Sequence, residues 1–105
     1  MTPRELLKLG FQYFAQRDYE KAVCYFKKAL EMDGTFIAAY SALAETYNRM
    51  GAINRALEIV TKWLKFDENN ATAHAMLSRI YVQLGQIELA KKEWAVANAL
   101  SAEQN

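Results

Sequence analysis

Two side chains in this sequence could do chemistry of their own, His74 and Cys24, and each is the single residue of its type. An imidazole can serve as a general base or a metal ligand near neutral pH, and a thiolate can serve as a nucleophile or redox group. Both roles need company. A catalytic histidine must be matched with a nucleophile and an orienting group, and a lone cysteine can form neither an internal disulfide nor a cysteine-based metal site. Lys21, Lys27 and Lys28 lie near Cys24 in the chain and give its thiolate only weak support. There is no glycine-rich phosphate loop, no pair of carboxylates on one face with a histidine, and no nucleophile elbow. Neither catalysis nor a metal or cofactor is expected, so the question becomes which elements carry these residues.

Those elements repeat. A shift of 34 residues lays the chain on itself without a gap: Leu9 on Leu43 and Leu77, Tyr13 on Tyr47 and Tyr81, Ala22 on Ala56 and Ala90. Small residues align as Gly10, Ala44 and Ser78, and large apolar ones as Phe26, Val60 and Trp94 and as Tyr19, Ile53 and Ile87. Each unit carries two helical periods. In the first, Leu6, Leu9, Gly10 and Tyr13 mark one helix face and Tyr19, Ala22, Val23 and Phe26 another. Thr2, Pro3 and Glu5 make a start signal with a capping box. Between the helices stand Gln16-Arg17-Asp18, Met50-Gly51-Ala52 and Leu84-Gly85-Gln86. Gly51 and Gly85 occupy the place where a helix end wants a left-handed residue, and Arg17 must accept the strain or turn differently. The small columns allow close helix approach, and the tyrosines with Phe26, Val60 and Trp94 are expected to fill the space around it. His74 falls in the column of Leu6 and Tyr40, a packing position, and Cys24 in that of Glu58 and Lys92, a surface position.

This pattern resembles the tetratricopeptide repeat family. Leu6, Leu9, Gly10, Tyr13, Ala22, Phe26 and Ala29 match its signature in the first unit. Tyr40, Leu43, Ala44, Tyr47, Gly51 and Ala56 match in the second, and His74, Leu77, Ser78, Tyr81, Gly85, Ala90 and Ala97 in the third. The resemblance covers residues 3–104. It departs at the closing proline of each unit, here Gly34 and Glu68, and at Trp63, which replaces a small residue. It implies an all-α, right-handed superhelical solenoid of three helix-turn-helix hairpins and six helices. One domain over 1–105 would comprise repeats 3–36, 37–70 and 71–104. It also implies a protein-binding function, with the first helix of each unit lining a concave groove.

The groove residues would be Arg4, Leu7, Lys8, Phe11 and Phe14, then Ala38, Ser41, Ala42, Glu45, Asn48 and Arg49, then Thr72, Ala75, Met76, Arg79 and Val82. Arg4, Lys8, Arg49 and Arg79 stand against Glu45 alone, a net of +3 where the whole chain has +1. A mildly acidic, amphipathic peptide would suit it. Leu7, Phe11 and Phe14 form an apolar stripe that the repeat does not require, since their counterparts include Ser41, Glu45, Asn48 and Arg79. Chaperone-binding members of the family clamp a C-terminal carboxylate with lysine, asparagine and arginine. The corresponding residues here are Leu7, Phe11, Ala42, Thr72 and Met76, so no clamp for the tails of Hsp70 or Hsp90 is expected.

The chain end is a second candidate surface. The columns Lys21/Arg55 and Lys28/Lys62 become Leu89 and Val96 in the last unit, joined by Leu100, with only Ser101 to Asn105 left to shield them. Self-association, as a homodimer or larger assembly through the apolar N-terminal stripe or this last helix, is therefore the alternative to a foreign ligand. The near balance of 13 basic and 12 acidic residues argues against nucleic acid. No apolar run is long enough for a membrane span or signal peptide, so a cytoplasmic setting is expected.

Overall fold

The computed structural model describes residues 1–104, with the side chain of Gln104 left aside. It is all α: α1 (Pro3–Ala15), α2 (Tyr19–Met32), α3 (Ile37–Arg49), α4 (Ile53–Phe66), α5 (Ala71–Gln83) and α6 (Ile87–Gln104), paired as three hairpins. Local chemistry sets the ends. The Thr2 hydroxyl accepts from the Glu5 amide and the Glu5 carboxylate from the Thr2 amide, both at 3.1 Å, with Pro3 in the first turn. The backbone hydrogen bond from Thr2 is the main cause of the lowered pKa of the Glu5 carboxyl, and the nearby Thr2 side chain adds to it.

Each hairpin turns through one motif. Arg17, Gly51 and Gly85 have φ of 63°, 77° and 77°. The amides of Asp18, Ala52 and Gln86 donate to the carbonyls of Tyr13, Tyr47 and Tyr81, each at 2.9 Å. This is a Schellman closure, in which the left-handed residue satisfies the last helical carbonyls. Arg17 accepts the left-handed backbone that the glycines adopt freely.

Close approach at the small columns sets the packing. A Cβ at Gly10 would lie 2.3 Å from Cε1 of Phe26, whose ring is fully buried between α1 and its neighbours. In the second hairpin Val60 takes the place of the ring and Ala44 that of the glycine, both fully buried. The third hairpin departs from the sequence expectation. Trp94, expected in the core with Phe26 and Val60, is 55% exposed. Ser78 fills the space that Gly10 leaves open, and its hydroxyl donates to the Ala90 carbonyl at 2.8 Å, so a large ring has no room beneath α5.

The junctions between hairpins replace the missing prolines with side-chain bonds. The Tyr40 hydroxyl donates to the Gly34 carbonyl at 2.8 Å. One unit later, His74 Nε2 bonds the Glu68 carbonyl at 2.7 Å, and its Nδ1 lies 2.6 Å from Glu93 Oε2. Trp63, almost fully buried, donates from Nε1 to Asp67 Oδ2 at 3.1 Å, and Asn70 Nδ2 donates to the same oxygen at 2.9 Å. The tryptophan that departs from the repeat pattern thus ties α4 to the start of α5.

Candidate functional site

The two residues with intrinsic chemistry stand apart, His74 at the contact of α5 with α6 and Cys24 on the surface of α2. His74 uses both ring nitrogens to join α5 to the α4–α5 junction and to α6, the work of a packing residue. Burial disfavours its charged form, but the bonds to Glu93 and to the Glu68 carbonyl outweigh that, and the pKa is raised from its usual 6.5. Cys24 is exposed. Among the described residues no group of three or more His, Cys, Asp or Glu side chains could hold a metal ion.

Three surface depressions lie on the face lined by α1, α3 and α5. Phe11, Phe14, Ala38, Ser41, Ala42, Glu45 and Arg49 line one depression of about 410 Å³. Ser41 and Glu45 also border a second, of about 350 Å³, completed by Thr72, Ala75, Met76, Arg79 and Trp94. A third, of about 320 Å³, is lined by Asn48, Arg79, Val82 and Gln83. The heptad-like arithmetic of the helix places these residues together: 11, 14, 38, 41, 42, 45 and 49 recur at steps of three and four on two neighbouring helices.

The aromatic wall is held firmly. Phe11 is 47% exposed, and its ring meets Phe26 edge-on at 5.2 Å between centroids. Phe14 packs on Tyr19 at 5.4 Å, and the Arg49 guanidinium lies 5.4 Å from the Phe14 ring centroid. Glu45 joins the units. Its carboxylate accepts from Arg79 Nη2 at 2.8 Å across to α5, and Arg49 Nε lies 3.7 Å away on α3.

Some of the expected groove residues stand elsewhere. Arg4 and Lys8 are exposed on α1 but border none of these depressions. Leu7 is half-buried and packs against both core clusters, and Phe14 is half-buried against the larger one, so of the apolar stripe only Phe11 is exposed. Ala42 and Met76 are buried and contribute floor rather than exposed wall. Trp94 is the addition that sequence reasoning missed. The signal for it was Ser78 in the column of Gly10, opposite the largest side chain of its own column.

The proposed self-association face is also redrawn. Leu89 is exposed, but Val96 and Leu100 are half-buried, three and seven residues beyond Glu93 on the side of α6 that meets His74 of α5. On the opposite side of the molecule a cleft of about 450 Å³ lies between α2 and α4. Its walls are Lys27, Arg55, Glu58, Lys62, Ile59 and Tyr47, with Lys27 and Arg55 each 6.0 Å from the Tyr47 ring centroid. It presents long charged side chains whose ordering on binding costs entropy, in contrast to the aromatic wall of the other face. No helix is long and apolar enough to cross a membrane among the described residues.

Comparison with known proteins agrees with this architecture. The chain is 27% identical over 85 residues to the STIP1 homolog of Dictyostelium discoideum, covering 81% of this chain and 15% of that protein. Its structure superimposes on that of MamA with a TM-score of 0.92 at 19% identity, covering 98% of this chain and 60% of that one. It superimposes on the first TPR of Spaghetti (RPAP3), bound to the HSP90 peptide SRMEEVD, with a TM-score of 0.88 at 20% identity, covering 94% and 79%. The chain thus spans a small part of the curated relative and about three fifths of the MamA chain. Tetratricopeptide repeat models match residues 13–74 and 71–93. With more than half its length matched in this way, the chain belongs to the tetratricopeptide repeat family.

Proposed function

We propose that this chain is a protein-interaction scaffold that receives a peptide or helix of a partner protein on the face built from α1, α3 and α5. The observation that carries this reading is the pair of adjoining depressions, walled by Phe11 and Phe14 at one end and by Trp94 over the Met76 floor at the other. Exposed aromatic rings held rigidly beside cations are the anchors that binding surfaces favour. The peptide-bound RPAP3 structure supports the mode of use, since it shares the fold. The partner is a mildly acidic, amphipathic segment, and nucleic acid, membrane and cofactors have no part in the function. The role is non-enzymatic and the setting cytoplasmic.

The HSP90 tail is not that partner. Leu7, Phe11, Ala42, Thr72 and Met76 stand where clamp residues would be, and none supplies a cationic head. A calorimetric titration with the peptide SRMEEVD is expected to show no micromolar binding that depends on its terminal carboxylate. For the groove itself, peptides selected from a random displayed library on the native protein should lose binding to Phe11→Ala and Phe14→Ala. Indifference to both changes would refute the site.

Self-assembly is the second reading. Ile87, Leu89 and Trp94 are exposed near the chain end at 47%, 42% and 55%. Head-to-tail stacking is disfavoured, because Glu5 and Gln12 replace the fully buried Ala39/Ala73 and Thr46/Ile80 of later units on the free side of α1. A symmetric dimer through the α6 end remains the form to test. Light scattering should report a dimer that Leu89→Glu dissolves, and a strict monomer at millimolar concentration would remove this reading.

A further inference from the structure

The groove reading leaves open what chemistry the segment carries, and Glu45 bears on it. This carboxylate stands on the saddle between the two depressions, bordering both with Ser41. Two arginines hold it from opposite sides. Arg49 borders the first depression and lies over Phe14, and Arg79 borders the second beside Trp94. The three units place Phe11, Glu45 and Arg79 at one repeat position, so aromatic wall, anion and cation succeed one another along the groove. The ion pair is open to water, with side chains 56% and 34% exposed for Arg79 and Glu45. Exposed pairs of this kind contribute little, roughly 0–1 kcal/mol, and are readily exchanged.

We propose that the groove selects a segment with a carboxylate between two bulky apolar side chains, and that Glu45 holds the place of that carboxylate in the free protein. The inference rests on the groove reading above and adds the ligand's charge pattern to it. Arg49 and Arg79 are aimed at one point between two apolar stations. A guanidinium has five donors in a fixed fork, so each arginine can keep Glu45 and still turn a donor to an incoming carboxylate, or release Glu45 altogether. The spacing follows from helix packing. The first station lies between α1 and α3 and the second between α3 and α5 beside Trp94, so the two are about one helix spacing apart, roughly 10 Å. An extended chain of the polyproline type rises about 3.1 Å per residue with three residues per turn. Apolar side chains at positions one and four then face the two stations, and a glutamate between them reaches the arginines. Arg4 and Lys8, which have no carboxylate partner within ion-pair distance among the described residues, add a positive field at the α1 end.

The test is fluorescence polarisation with three labelled peptides built on the cores Phe-Glu-Ala-Leu, Phe-Gln-Ala-Leu and Ser-Glu-Ala-Ser, titrated to millimolar protein at low and moderate salt. The native chain should bind the first about tenfold more tightly than the second, the difference between a charge-assisted and a neutral hydrogen bond. That margin should narrow with salt. Glu45→Gln should tighten the first by about three- to tenfold and leave the second unchanged. Equal binding of the first and second peptides, or no gain in Glu45→Gln, would overturn the carboxylate inference while leaving the apolar groove intact. Binding of the third peptide as tight as the first would refute the groove reading itself. Absence of binding by all three at millimolar protein would overturn both.

Discussion

Replacing Gly10 by alanine tests the packing rule on which the fold rests. In an exposed helix interior this change stabilises by about 0.8–1.0 kcal/mol. Here the new methyl would lie 2.3 Å from Cε1, 2.5 Å from Cδ1 and 2.9 Å from Cζ of Phe26. Phe26 is fully buried, and its ring also supports Phe11 edge-on, so it has no free direction in which to yield. Overpacking a tight core costs about 1–3 kcal/mol, and contacts this short on a confined ring put the cost near the top of that range. We expect Gly10→Ala to lose about 1–2 kcal/mol net. Phe26→Val alone opens a cavity and should lose about 2–3 kcal/mol. The double variant recreates the Ala44/Val60 pair that the second hairpin already uses, both residues fully buried. It should therefore be more stable than the sum of the single changes by about 1–3 kcal/mol. Urea titrations followed by far-ultraviolet circular dichroism measure all four proteins. Native or greater stability of Gly10→Ala, or strict additivity in the cycle, would refute the reasoning.

Three further outcomes follow from the same geometry. Arg17→Gly should raise stability by about 1 kcal/mol in a thermal melt, because the left-handed backbone at φ of 63° burdens a residue with a Cβ; a loss would show that the Arg17 side chain contributes more than its backbone costs. Trp63→Ala should destabilise by about 3–5 kcal/mol and Trp94→Ala by less than about 1 kcal/mol, since one ring is 1% exposed and the other 55%, and urea titration would contradict this if the two were equal. The raised pKa of His74 makes the third hairpin sensitive to pH: the contribution of the imidazolium is complete below the unfolded value of 6.5 and is lost as pH rises through the higher folded value. Amide exchange in α6, corrected for its intrinsic pH dependence, should accelerate over that interval and lose the dependence in His74→Tyr; protection that grows with pH would contradict it.

Much of this architecture is legible in the sequence because the repeat states each rule three times. Gly51 and Gly85 expose the odd place of Arg17, and all three adopt the same turn. Tyr40 explains His74, since both reach the carbonyl six residues back. What escapes a column reading is a contact that depends on two columns at once. Trp94 looks like core beside Phe26 and Val60 until Ser78 is set against Gly10. The bridge from Glu45 to Arg79 joins one column to itself across adjacent helices, so a change of charge sign 34 residues on was the available signal. Counting groove charges gives the net sign but misses that the one anion is already engaged by two of the four cations. Leu7, Val96 and Leu100 show the converse. Their apolar character departs from the repeat, yet local packing at the two chain ends absorbs much of it.

The central claim is that a polypeptide lies on the face of α1, α3 and α5, and amide and indole chemical-shift mapping with a library-selected peptide tests it most directly. The account predicts shifts concentrated at Phe11, Ser41, Glu45, Ala75, Arg79 and the Trp94 indole, with Cys24, Glu58 and Lys62 on the opposite side unmoved. Shifts centred on Glu58 and Lys62, with the Trp94 indole unchanged, would contradict it.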